Sequence, residues 1–111
     1  MIASSASTEQ CIFKVYILIM LYYYIMIDPD KSHRCKVGIT KDPKQRLRAY
    51  RTSNPAVYFS VVYKIPCRQH ERKLLDVLRD VCVVRSEYIH YDPLLVQNIV
   101  EGYLTDNGIS Y

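Results

Sequence analysis

The sequence has no tryptophan, no Cys-x-x-Cys pair, no secretory cleavage signal, no internal repeat and no low-complexity segment. Each absence removes a class of protein. The missing repeats exclude a solenoid or propeller. The four cysteines, Cys11, Cys35, Cys67 and Cys82, then read as reduced, partly buried thiols of an intracellular protein, in the cytoplasm or nucleus of a host. His33-x-Cys35 and Cys67-x-x-His70 match no recognised zinc spacing, so no structural zinc is expected. Long apolar runs are also scarce. Val15–Ile27 is apolar or tyrosine throughout but is only 13 residues long, against the roughly 20 that a membrane helix needs. Extending it to Cys11 brings in Lys14 and gives 17 residues. A buried strand at Tyr22–Ile27 is therefore expected, with membrane anchoring through Cys11–Ile27 the lesser alternative.

What is present is an ordinary globular composition, with half the residues apolar and 23% charged. A chain of 111 residues makes one domain with a modest core. Eleven tyrosines stand out. A tyrosine carries an apolar ring with a polar tip, so most of them belong at the core's rim or along a cleft. The net charge is +4, and its distribution is uneven. Between Lys31 and Arg51 lie eight basic residues, Lys31, Arg34, Lys36, Lys41, Lys44, Arg46, Arg48 and Arg51, against the single acid Asp42. A charge run is commonly just a solvated face, but one this one-sided points to phosphate-backbone contact.

Periodicity gives the order of elements. Residues 1–20 form an extension of unassigned role, 21–104 the domain and 105–111 a tail. After the strand at Tyr22–Ile27, Asp28-Pro29-Asp30 signals a turn, and Cys35–Ile39 returns as the second strand of an antiparallel hairpin. A helix follows: Asp42 caps it, Pro43 suits its first position and Gln45 completes a capping box, while Ser53-Asn54-Pro55 stops it. Val57–Ile65 alternates as a third strand, with Val57, Phe59, Val61, Tyr63 and Ile65 expected on one face. Arg68–Val81 is a helix with Leu74, Leu75, Leu78, Val81 and Cys82 as its apolar stripe. Glu87–Tyr91 is a short extended segment. Asp92-Pro93 begins a last helix carrying Leu95, Ile99, Val100 and Tyr103. The expected architecture is α/β in the α+β sense, a small three-stranded antiparallel or mixed sheet flanked by helices.

Three stretches carry the chemistry: Tyr22-Tyr23-Tyr24-Ile25, then Lys36-Val37-Gly38-Ile39-Thr40 running into Asp42-Pro43-Lys44-Gln45-Arg46, and finally Glu71. Here the sequence resembles the GIY-YIG nuclease superfamily. More narrowly, it is similar to the branch common in phages and large DNA viruses whose second motif reads K-[IV]-G-x-T-x-[DN]-P-x-x-R-L. Lys36 through Leu47 matches that motif throughout, with Gly38, Thr40, Asp42 and Pro43 at its framework positions. Ala49–Pro55 continues the likeness, and Tyr24-Ile25 matches the first motif without its leading glycine. The resemblance spans about Leu21 to Tyr91.

The resemblance implies a metal-dependent endonuclease, with DNA the more expected target than RNA. It assigns Tyr24 to positioning or deprotonating the attacking water, with Tyr22, on the same strand face, as the fallback. Lys36 stands where other branches have a tyrosine, and would bind phosphate as a point charge or act as a base. Gly38 would let backbone approach closely. Arg46 matches the catalytic arginine, Tyr50 the position four residues later, and Glu71 the glutamate that holds one divalent cation, Mg2+ being the expected one. The family's late asparagine has no counterpart. Glu87-Tyr88 fits an acidic-aromatic pair of this branch, with its role open.

Elementary chemistry supports the same residues. Phosphodiester hydrolysis needs a positioned water, a cation near the developing charge and help for the leaving oxygen. Arg46 offers a bidentate fork to phosphate oxygens, Glu71 a hard oxygen ligand for magnesium, and Arg46 and Tyr50 share a helix face. Lys41, Lys44, Arg48 and Arg51 are the expected backbone-binding residues. The chain leaves no room for a separate DNA-reading module, so weak specificity, or a protein partner that supplies it, is expected. The alternative is a catalytically inactive nucleic-acid-binding module on the same fold.

Overall fold

The computed structural model describes residues 20–111. Strand β1 (Leu21–Ile27) leads through a 3-10 turn at Pro29–Lys31 into β2 (Cys35–Thr40), helix α1 (Pro43–Ser53) and β3 (Tyr58–Ile65). Helix α2 (Gln69–Arg79), the short strands β4 (Val83–Arg85) and β5 (Tyr88–His90), and helix α3 (Pro93–Asp106) complete the chain. The sheet is antiparallel in the order β3-β1-β2-β5-β4. The α+β class expected from the sequence is correct, but the sheet has five strands rather than three. The expected segment at Glu87–Tyr91 pairs with β2 over Cys35 and Lys36. Val83–Arg85 adds an edge strand that periodicity could not reveal, because three residues pair with β5 alone. A two-residue connection joins β4 to β5, with Ser86 at φ 59°, left-handed backbone that a non-glycine residue rarely adopts.

The starts of α1 and α3 follow from their caps, whereas α2 has no side-chain cap. Asp42 accepts the Gln45 amide at 3.1 Å and Asp92 accepts the Leu94 amide at 3.0 Å, and a proline follows each cap. The capping box is incomplete, because the Asp42 amide is bound by Thr40 Oγ1 at 3.1 Å rather than by Gln45. Helix α3 ends with Gly108 at φ 70° and the Ile109 amide donating to the Leu104 carbonyl at 2.9 Å. That is a Schellman closure, and it packs Ile109 onto the core.

The sheet separates two apolar clusters. On one face Tyr23, Ile25, Val37, Ile39 and Ile89 pack with Leu74 and Leu78 of α2 and Val96, Val100 and Leu104 of α3. On the other face Tyr24, Met26 and Val57 pack under α1, against Leu47, Tyr50 and Phe59. Alternation along β1 therefore sends Tyr23 to the main core and Tyr24 to the α1 side.

Strand β3 departs from the expected single face. A bulge shifts its register, so that Ile25 pairs with Val61 but Met26 pairs with Phe59. The extra residue, Ser60, donates its hydroxyl to the Ile25 carbonyl at 3.3 Å. Beyond the bulge every side chain changes face. Val61, Tyr63 and Ile65 belong to the main core, whereas Val57 and Phe59 lie under α1. The helical stripes shift as well. Val81 lies past the end of α2 and is 55% exposed, and Leu95 is 43% exposed while Val96 is buried.

Cys35 and Cys82 are free thiols. Cys67 is disulfide-bonded, against the expectation of four reduced cysteines. The expected strand within the apolar run is β1, while the remainder of the Cys11–Ile27 anchor up to residue 19 lies outside the described residues. Among the described residues no helix is long and apolar enough to cross a membrane.

Candidate active site

The site begins with the register of the first hairpin. Tyr24 pairs with Gly38 across β1 and β2, and the tyrosine ring lies over the glycine. A Cβ on Gly38 would stand 2.5 Å from the Tyr24 hydroxyl and 2.8 Å from the ring carbon bearing it. Glycine is thus required by the ring that covers it, not by a turn. On its other side the Tyr24 ring stacks on Phe59, with centroids 4.6 Å apart. The bulge at Ser60 makes that contact available by turning Phe59 to this face.

Helix α1 supplies the next two groups. Thr40 and Asp42 set its first turn, and Arg46 and Tyr50 follow one turn apart. The Tyr50 hydroxyl lies 2.7 Å from that of Tyr24. The Arg46 guanidinium lies beside both hydroxyls, close enough for them to favour its charged form. Burial alone would lower the Arg46 pKa, but these two hydroxyls more than offset it and the net shift is upward. Tyr24 is held far above the ordinary phenol range, first by burial, then by its bond to Tyr50, with Arg46 opposing. Tyr24 is therefore a neutral hydroxyl at neutral pH. Tyr24, rather than Tyr22, makes the contact with Tyr50.

Strand β5 brings the third wall. Lys36 pairs with Tyr88. Its ammonium lies 3.7 Å from Glu87 Oε1, 4.8 Å from the Tyr50 ring centroid and 5.2 Å from that of Tyr88. The Val37 amide donates to the Glu87 carbonyl at 3.0 Å. Two residues on, the Ile39 amide points the same way but lies beyond the end of β5, and the Glu71 carboxylate is near enough for it to favour the ionised form. Glu71 thus meets the edge of β2 from α2. Burial and the nearby Glu87 raise its pKa, while Arg68, the Ile39 amide and Arg46 pull it down, with a net upward shift.

Tyr24, Lys36, Arg46 and Tyr50 therefore come together with Glu87 beside Lys36, and Glu71 lies within electrostatic range of Arg46 and Glu87. The expected backbone-binding residues do not join them. Lys41, Lys44 and Arg48 are exposed along or just before α1, and the Arg51 Nε is committed to the Val57 carbonyl at 2.9 Å. Sequence reasoning left the role of Glu87 and Tyr88 open and gave Arg34 no role beyond the basic run. Arg34 stacks on Tyr88, 4.3 Å from its ring centroid. Among the described residues no group of three or more His, Cys, Asp or Glu side chains could cage a metal.

The five-stranded antiparallel sheet and its three helices define a small α+β domain. Residues 21–103 match the T5orf172 domain, and the chain belongs to that family. No curated protein and no solved structure matches the chain.

Proposed function

We propose that the protein is a GIY-YIG-type endonuclease that hydrolyses nucleic-acid phosphodiester bonds, DNA being the target, with the help of one divalent cation. The observation that carries this reading is the hydrogen-bonded pair of Tyr24 and Tyr50 beside Arg46, which lies within electrostatic range of Glu71. In this reading Arg46 binds two phosphate oxygens through its fork and stabilises the charge that develops on them. Lys36, fixed by Glu87 and two tyrosine rings, adds a second positive charge. Neutral Tyr24 and its partner Tyr50 orient the attacking water by hydrogen bonds. The proton that Tyr24 retains argues against a phenolate base in the resting site.

The residues present fit a single hard cation that keeps most of its waters. Glu71 offers one carboxylate, and the repulsion it feels from Glu87 is what a bound cation relieves. Glu71 would hold the ion, which would supply Lewis-acid stabilisation of the phosphate. The test is plasmid nicking with Mg2+ by the wild type and by Arg46→Ala and Glu71→Ala variants whose circular dichroism is unchanged. Cleavage lost in both variants is expected. Equal cleavage in all three proteins removes the reading, and binding without cleavage under any divalent metal would instead make the domain a passive nucleic-acid binder.

A further inference from the structure

Beside Lys36 and Tyr50 lies a cavity of about 210 Å3 that is also lined by Met26, Asp28, Arg34, Cys35, Ser53, Asn54, Val57 and Tyr88. Its size is below the roughly 300–1,000 Å3 of sites for drug-sized ligands, and suits one ring system. Its chemistry is that of a base pocket. Met26 and Val57 give it an apolar floor. Tyr50, Tyr88 and the Arg34 guanidinium stacked on Tyr88 supply the flat groups on which bases stack. At the rim, Asn54 Nδ2 donates to Asp28 Oδ2 at 2.9 Å, and Asp28 Oδ1 accepts the Asp30 amide at 3.0 Å. This pair is therefore held in place, and each carboxylate oxygen keeps a lone pair for a further donor. The Asp28 carboxylate can accept from a ring edge bearing N–H groups.

We infer that this cavity receives the base of a nucleotide adjoining the phosphate that Arg46 holds, so that the substrate is a strand with an unpaired or extruded nucleotide at the cut. The adjacency to a scissile phosphate rests on the hydrolytic reading above, whereas the pocket's taste for a base does not. A base stacked within a duplex could not enter, because its edges and faces are already engaged.

The test compares binding of deoxyguanosine monophosphate and of deoxyribose 5-phosphate to the full chain by equilibrium dialysis, with wild type and Ser53→Trp. Ser53 is exposed at the end of α1 and borders the cavity, so a large ring there fills the space without touching the core. The expected result is that the nucleotide binds at least about fivefold tighter than the sugar phosphate, and that Ser53→Trp removes this preference. Equal binding of the two ligands, or a preference that survives Ser53→Trp, overturns the inference. A second arm measures cleavage of oligonucleotides with and without a base beside the scissile phosphate. Slower cutting at the abasic site supports the pocket and equal cutting opposes it. Absence of cutting in every oligonucleotide counts against hydrolysis alone and leaves the binding comparison to decide the pocket.

Discussion

The Tyr24 ring lies directly over Gly38, its cross-strand partner, with no room for a Cβ between them. The pair explains why a glycine stands in the middle of a buried strand, where it otherwise weakens the sheet. It also makes the hairpin register a condition for the site, since a slip of one residue would move Tyr24 to the opposite face.

Gly38→Ala should therefore displace the Tyr24 ring and break its contact with Tyr50. The expected loss of stability is about 1–3 kcal/mol, as for other overpacked positions, accompanied by loss of cleavage. Urea denaturation and the nicking assay report the two effects. A variant matching wild type in both would mean that the ring is not seated where it is described.

Tyr24→Phe separates the hydroxyl from the ring. The ring still stacks on Phe59 and covers Gly38, so stability should change by only about 1 kcal/mol, the usual worth of a hydrogen bond. Cleavage should fall by a much larger factor. Unimpaired cleavage in Tyr24→Phe would show that the hydroxyl has no part in catalysis.

Acid should weaken the site before it weakens the fold's ordinary carboxylates. The Glu71 pKa is raised above 4.5 in the folded protein, chiefly by burial and then by Glu87. The folded state therefore holds this proton more tightly than the unfolded state. On its own, that linkage favours folding below the unfolded pKa and loses this contribution as pH rises through the folded value. Cation binding needs the ionised form, so it runs the other way. The Mg2+ concentration needed for half-maximal cleavage should rise on acidification at a pH above the usual carboxylate range. Glu71→Gln, which cannot ionise, should lose Mg2+-supported cleavage at every pH. A Mg2+ response that stays flat down to the ordinary carboxylate range would contradict the described environment of Glu71.

Burial pushes the Cys35 thiol up to about 12, with Cys82 adding to the shift. At pH 8 almost none of it is thiolate, and the thiol is shielded on strand β2. Iodoacetamide should leave Cys35 unlabelled in the native protein and label it only after denaturation, as read by peptide mass spectrometry. Rapid native labelling would mean that β2 opens readily.

Much of this arrangement is legible in the sequence, for local reasons. Asp42, Pro43 and the four-residue spacing of Arg46 and Tyr50 fix α1 and the face it presents. Alternation in β1 separates Tyr23 from Tyr24. The elements that escaped detection depend on long-range pairing. Strand β4 has too few residues to show a period. The bulge at Ser60 exists only because β3 pairs with β1 out of step, and it alone brings Phe59 to the Tyr24 ring. The approach of Glu87 to Lys36 requires the β4–β5 hairpin to dock on β2, which no spacing within either segment announces.

The account stands on Tyr50 and Arg46 acting together in one step, Arg46 on the phosphate and Tyr50 on the attacking water, and a double-mutant cycle measures that most directly. Single-turnover nicking in Mg2+ would be compared for wild type, Tyr50→Phe, Arg46→Ala and the double variant. The account predicts that each single change slows cleavage by about 10²–10³, the scale for losing one donor to developing charge, and that the double variant is scarcely slower than the worse single one. Losses that multiply in the double variant, or cleavage that survives Arg46→Ala, would contradict it.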